Sequence, residues 1–388
     1  MSGSEQYTNS KKPAIVLFSR HFPPHVSGGA RRPYYLTQAL QSLGCRVFVV
    51  APALPDDTEG VVVPHIQPDP TVSISAKGGA NVRDFLRNWL LWPDPDIRWT
   101  KRAVKVALAA LPFRPDWVIT TSPPESIHHA GLRLKTELGC HWYADMRDHW
   151  LVRPFRKQRE SVLRKFIEQR IASNMLSQAD LISTVNNAIA EEFYQYAGSH
   201  EKVFVLPHFS ITTQPEEVTL PSDRLNLVYT GSFSLSDPDC DIADTLQVFA
   251  AALQQNPALH LHIVGRLTRA EKKRVLACSC AHKITLHGVV SLQQSHALQN
   301  AAQALVLAGS AHAPTPPGKA AEYAIRGKPI IAVTEAKWAK LYNGEKTATE
   351  HMAALGVETR AIIVESLFSQ DEAAKSVLRK MAEFHDAR

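Results

Sequence analysis

Residues 13–18, PAIVLF, form an unbroken apolar run where a half-exposed strand would alternate. Such a strand must be covered on both faces, and the usual way to do that is a parallel sheet between two layers of helix. The run is followed by a loop, SRHFPPHVSGGARR, then by PYYLTQALQSLG, then by a second apolar run, RVFVVAP. In the middle segment Leu36, Leu40 and Leu43 share one helical face. Pro33 suits a first turn and Gly44 a C-terminal cap. Strand, glycine-bearing loop, helix and strand form the opening unit of a doubly wound α/β domain.

The pattern repeats along the chain. DWVITTSPP (116–124), CHWYADMRD, ADLISTVN and KVFVLPH read as strands, and ESIHHAGLRLKTELG and FRKQRESVLRKFIEQRIASNML (155–176) as helices. Residues 207–224 are rich in Pro, Thr and Ser, lack periodicity and read as a linker. A second set follows: strands LNLVYTG, LHLHIVGR, KITLHGVV, ALVLAG and KPIIAV, with helices around 241–254, 269–278, 291–301 and at PGKAAEYAIRG. A chain of 388 residues is too long for one core. The expected fold class is therefore α/β, with two Rossmann-like domains facing a cleft. The first spans 1–210, the second 211–369, and a last helix in 370–388 packs back on the first. Ligands of open parallel sheets sit at the carboxyl ends of the strands.

Composition narrows the classes. The polar start, MSGSEQYTNSKK, has no apolar core of a secretory signal. No apolar run reaches the ~18–20 residues of a membrane span. Five cysteines, an odd number with no CxxC pair or zinc spacing, fit a reduced cytoplasmic setting and argue against a metal site. Residues 1–210 hold 25 Lys and Arg against 19 Asp and Glu, while 211–388 hold 18 of each. The basic excess of the first half favours an anionic partner, a membrane surface or a phosphate-bearing ligand. Nucleic acid is the poorer choice, because no recognition module is present.

Four places offer chemistry. In SGGARR, Gly28 and Gly29 lie between a strand and a helix, where backbone N–H groups suit a phosphate and Arg31 or Arg32 adds charge. A tight turn would need the same glycines. In WYADMRDHW, a strand end carries Asp145, Arg147 and Asp148. Arg147 held between the two carboxylates would leave one to receive an acceptor hydroxyl, or the group is a structural ion-pair network. In PPGKAAEYAIRG, Lys319 and Glu322 share a helical face beside Gly318. They suit a diphosphate and a ribose, or else an exposed lysine and an ordinary N-terminal glutamate. The fourth place is a set of strand ends: Gly231-Ser232, Gly265-Arg266 and His287-Gly288. There Arg266 is either a phosphate partner or a plain surface arginine. DPD (94–96) and DPDCD (237–241) read as turns and caps rather than as a metal-binding Asp-x-Asp. RNWLLWPDP (87–95) and the basic helix 153–170 mix Arg and Lys with Trp and Leu, which suits a membrane interface as well as a solvated helix.

The ordered set of these pieces resembles a known family. FPPHVSGGARRPYYLTQALQSLGCRVFVV, TTSPPESIHHAG with WYADMRDHW, LVYTGSF, LHIVGR, ITLHGVVS and PPGKAAEYAIRGKPIIAV look like a GT-B glycosyltransferase of the retaining family four, in the branch that builds bacterial surface polysaccharides. The resemblance implies a nucleotide-sugar donor held by the second domain. Glu322 would take the ribose and Lys319 the diphosphate, with Gly288 and Val289 near the base and Gly231, Ser232 and Gly318 around the phosphates. Gly28 and Gly29 would approach from the first domain, with Asp145 and Asp148 on the acceptor side. It implies no metal and no cofactor, the leaving diphosphate being stabilised by Lys319, Arg266 and helix N-termini. Two departures stand out. The position eight before Glu322, a second glutamate in many members, is Pro314. The loop GSFSLSD lacks the basic pair often found after the first strand of the second domain.

The reading is a cytoplasmic enzyme, peripheral at the inner face of the plasma membrane. It would move a hexosyl group from a UDP-linked donor to a lipid-linked or glycan acceptor. The alternatives are a catalytically silent GT-B scaffold of a polysaccharide assembly complex and a sugar-nucleotide epimerase.

Overall fold

The computed structural model describes residues 12–24, 28–64, 92–152, 162–211, 216–313, 315–356 and 368–386. The chain divides into two compact units. One comprises residues up to His208 together with Gln370–Arg388, the other Phe209–Ser369.

The strands of the first unit are β1 (Ala14–Ser19), β2 (Arg46–Ala51), β3 (Gly60–Val62), β4 (Trp117–Ser122), β5 (His141–Met146), β6 (Leu181–Thr184) and β7 (Val203–Val205). They form one parallel sheet in the order β3-β2-β1-β4-β5-β6-β7. The unbroken apolar runs account for this: Ile15, Val16, Leu17 and Phe18 are all fully buried, as are Trp117, Val118 and Ile119. The helices are α1 (Gly28–Ser42), α2 (Ile97–Ala110), α3 (His128–Leu138), α4 (Val162–Leu176) and α5 (Asn187–Tyr194). The sheet order reverses between β1 and β4, which makes their carboxyl ends the switch point where such sheets bind ligands.

In the second unit β8 (Leu225–Thr230), β9 (Leu259–Val264), β10 (Ile284–Gly288), β11 (Ala304–Ala308) and β12 (Ile330–Val333) run parallel in the order β10-β9-β8-β11-β12. Their helices are α6 (Ile242–Gln255), α7 (Arg269–Ala277), α8 (Leu292–Ala301), α9 (Lys319–Ala324), α10 (Lys340–Asn343) and α11 (Ala348–Ala353). The switch point lies between β8 and β11. The last helix, α12 (Gln370–Asp386), belongs to the first unit and packs on α1, with Phe384 edge-on to Trp117 at 5.5 Å.

Two details differ from the reading of the sequence. Helix α1 begins at Gly28, five residues before Pro33, so the proline lies inside it. Strand β3 and helices α2, α5, α10 and α11 were not foreseen. The boundary between the units, His208/Phe209, falls in the stretch read as a linker, whose first residues are bonded: Pro207 O accepts from Arg32, and Ser210 N donates to Phe368 O at 2.8 Å. Residues 87–91 and 153–161 of the two basic-aromatic stretches, and Pro314, lie outside the described residues.

Candidate functional site

In the first unit the end of β5 is tied to α1. Pro33 has no N–H, so the carbonyl four residues earlier, that of Gly29, gains no helical partner. Arg147 Nη1 donates to that carbonyl at 2.7 Å, while Arg147 Nε donates to Ser122 O at 2.5 Å. One turn of sequence thus explains why an arginine follows β5. Gly29 is also where the two meet closely, since an added Cβ would stand 3.5 Å from both terminal nitrogens of Arg147.

Asp145 pairs with Arg32, not with Arg147. Arg32 Nε and Nη2 reach Oδ2 and Oδ1 at 3.0 and 2.9 Å, and Thr121 Oγ1 and Ser183 Oγ add bonds of 2.9 and 2.7 Å. Tyr143 OH donates to Ser183 Oγ at 2.7 Å behind them. The carboxylate is 1% exposed and the guanidinium side chain 5%. Burial alone would raise the acid, but Arg32, the hydroxyl of Ser183 and Arg147 outweigh it and hold Asp145 down at about 2. This corrects two expectations. Arg147 is not clamped between Asp145 and Asp148, and Asp145, with four donors on its oxygens, fixes α1 to the sheet rather than awaiting an acceptor. Arg32 is equally committed and does not reach for phosphate.

Asp148 is different. It is exposed and makes no hydrogen bond among the described residues. Surrounding protein still removes enough water to push its acid upward, against the pull of Arg147 and His149. Its loop is anchored from α5. Glu192 accepts from Trp150 N at 3.1 Å and Leu151 N at 2.6 Å, and its other oxygen meets His149 Nδ1 at 2.6 Å.

In the second unit Gly231, Lys319 and Glu322 converge at the switch point. Gly231 follows β8 with φ +126°, and a Cβ there would fall 1.6 Å from Lys319 Nζ. The φ disfavours any side chain at this position, and the lysine amine lies across the bare backbone, 4.8 Å from the centre of the Tyr229 ring. Gly265 (φ +133°) is needed for a similar reason, its Cβ direction being blocked at 2.0 Å by Gly231 O. Its N–H donates to Gly288 O at 2.7 Å, which links the ends of β9 and β10. Glu322 Oε1 accepts from Gln299 Nε2 at 2.6 Å and lies 3.4 Å from His296 Nε2. Gln299 also reaches Thr230 Oγ1 at 3.2 Å, and Thr230 N donates to Tyr323 OH at 2.8 Å. So the residue before Gly231 and the residue after Glu322 are joined.

Gly318 takes the N-cap position of α9 with no side-chain cap. Ser232 accepts from Tyr229 OH at 3.0 Å through its carbonyl, and its hydroxyl meets Ser236 Oγ at 2.6 Å. Arg266 is exposed and makes no ion pair among the described residues, and Val289 is 56% exposed. The acidic motifs serve as turns and caps. Asp94 accepts from Ser126 N and Oγ at 2.8 and 2.7 Å, and Asp241 caps α6 through Ala243 N. Among the described residues no group of three His, Cys, Asp or Glu is placed to hold a metal ion. Gln299, Arg326 and Glu192 were missed from the sequence, where each reads as an ordinary helix residue.

Solved structures resemble the chain along nearly its whole length. The Anabaena protein Alr3699/HepE, in complex with UDP and glucose, has a TM-score of 0.59 at 14% identity, covering 97% of this chain and 100% of that one. AviGT4, a glycosyltransferase involved in avilamycin A biosynthesis, has a TM-score of 0.55 at 13% identity over 97% and 99%. A protein from Listeria monocytogenes described as a proposed UDP-N-acetylglucosamine 2-epimerase has 0.59 at 12% over 97% and 98%. With its two parallel α/β units, the chain has the GT-B fold. Residues 26–210 match the family described as Glycosyltransferase Family 4. No curated protein matches the sequence.

Proposed function

We propose that the chain is a retaining glycosyltransferase that moves a hexosyl group from a UDP-linked donor to a lipid-linked or glycan acceptor of a cell-surface polysaccharide. The observation that carries this is the placement of Lys319 Nζ across Gly231, beside a Glu322 oriented by Gln299. A glycine whose φ disfavours a side chain, an amine and a partly buried carboxylate at a switch point form a site for a diphosphate and a ribose. The same geometry answers the bare GSFSLSD loop, because Lys319 brings to it the cation that its own sequence lacks. In this reading Glu322 takes the ribose hydroxyls, Lys319 and Arg266 stabilise the leaving diphosphate without a metal ion, and Gly288 and Val289 border the base. Asp148 is the carboxylate left for the acceptor. That HepE was solved with UDP-glucose supports the choice of donor.

The acceptor half of the proposal draws on α4. Val162 is 89% exposed, and Leu163 and Phe166 more than half exposed, among Arg164, Lys165 and Arg170. Apolar side chains interleaved with cations suit an anionic lipid surface. No helix among the described residues is long and apolar enough to cross a membrane.

The test is calorimetry with UDP, GDP, CDP and ADP, with and without Mg²⁺. UDP should bind in the absence of Mg²⁺, and Glu322→Ala should weaken it about tenfold or more, as for loss of hydrogen bonds to a charged group. Binding of none of them would leave a non-catalytic scaffold as the better reading. Conversion of a UDP-sugar without any acceptor would favour the epimerase.

A further inference from the structure

Gln299 is fully buried on α8, and its neighbours fix which way its amide points. Oε1 accepts from Arg326 Nε at 3.1 Å, so Nε2 is the donating end, at 2.6 Å from Glu322 Oε1 and 3.2 Å from Thr230 Oγ1. The opposite orientation would set an N–H against a guanidinium and a carbonyl against a carboxylate. Glu322 and Arg326 are four residues apart, the spacing at which a carboxylate and a guanidinium on one turn pair directly. They do not pair here. The amide of Gln299 stands between them, one end on each. Arg326 Nη2 is buried and has no hydrogen-bond partner among the described residues, so the guanidinium retains an unmet donor.

We propose that Gln299 is a positioning residue of the donor site: it keeps Glu322 from collapsing onto Arg326 and so holds the carboxylate available to a nucleotide ribose. The proposal rests on the reading of Glu322 given above. Removing the amide lets the two charges meet. Glu322 then turns to Arg326, its affinity for hydroxyls is lost to the ion pair, and the site closes without substitution of any residue that touches ligand. Burial already pulls the Arg326 pKa down while Glu322 pulls it up, so the two groups are near enough to feel each other. His296 Nε2, 3.4 Å from the same Glu322 oxygen, steadies it from the other side.

The experiment is calorimetric titration of the full chain with UDP. Gln299→Ala should weaken UDP about tenfold or more. Adding Arg326→Met to Gln299→Ala should return the affinity to within about threefold of wild type, which a cavity or a loosened helix would not do. Gln299→Met, which keeps the volume, serves if the alanine variant melts early, and its rescue by Arg326→Met is expected to match. Wild-type affinity in both Gln299 variants, or a double variant no tighter than the single, overturns the proposal while leaving the donor site intact. Wild-type protein that ignores UDP, or binds it equally with Glu322→Ala, removes the donor-site reading and this proposal with it.

Discussion

Both units bring charged side chains to the carboxyl ends of a parallel sheet, at or beside its switch point, and they treat them in opposite ways. In the first, Asp145 is 1% exposed and accepts four hydrogen bonds, two of them from a guanidinium that is itself buried. In the second, the Glu322 side chain is 13% exposed and is oriented by a neutral amide. A carboxylate saturated by a buried cation has little left for a ligand. A carboxylate steered by an amide keeps its charge and a path to solvent. The carboxyl end of a parallel sheet is therefore scaffold in one unit and candidate ligand site in the other, and the partners, more than the position, decide which.

The comparison is broken most directly at Asp145. Asp145→Ala leaves the Arg32 guanidinium buried without its counter-charge, a change that costs ~3–5 kcal/mol. Thermal unfolding of the first unit should shift down by about 10 °C, while UDP affinity of the surviving folded protein holds. A melt within a degree or two of wild type would mean that water reaches Arg32 and that the ion pair is not a scaffold. The matching cut in the second unit is Gly231→Ala. Its Cβ would stand on Lys319 Nζ, and its φ of +126° already disfavours a side chain. Lys319 must leave, so turnover should fall roughly a hundredfold, the scale for losing one group that stabilises developing negative charge. Lys319→Met should do the same, and the double variant should be no worse than either. Additive losses would place glycine and lysine in separate tasks.

The sheets were legible because continuous apolar runs admit few folds. Short elements and distant pairings were harder to see. Strand β3 is three residues long and offers no periodicity, whereas α2, with Trp99, Ala103, Val104 and Ala107 buried at helical spacing opposite its Lys and Arg, carried a signal that could have been read. The strand end at 145–148 was legible as a site of charge, but its wiring was not. Arg32 and Asp145 are 113 residues apart, and nothing local to either names the other. One link was readable in principle: a proline five residues into a helix frees the carbonyl four residues back, and some donor must find it. Gln299 offers no such signal, since a buried amide on a helix has the same letter as an exposed one.

The smallest effect separates the two units by acid. His128, at the start of α3, is fully buried. Its Nδ1 meets Thr120 Oγ1 at 2.8 Å, and its Nε2 has no hydrogen-bond partner among the described residues. Burial is the main cause that pulls its pKa down to about 3, with Asp145 opposing and Arg147 assisting. The folded value therefore lies below the ordinary 6.5 of the unfolded chain. Between the two, the unfolded state binds the extra proton, so this contribution to stability is complete above pH 6.5 and drains away as pH falls toward 3. Asp145, held at about 2 against an ordinary 3.8, adds stability that is complete above 3.8 and is lost only below it. Acid should thus weaken the first unit in two stages, histidine first and carboxylate second. His128→Gln keeps a polar partner for Thr120 but cannot titrate. Urea unfolding of the first unit followed from pH 6.5 to 4 should then fall less steeply than in wild type, by up to ~1.4 kcal/mol per pH unit for the one proton removed. Equal slopes would mean that His128 is protonated in the folded chain. The Asp145 network would then be neutralising a third buried cation beside Arg32 and Arg147, and the first unit would hold its charges more loosely than its hydrogen bonds imply.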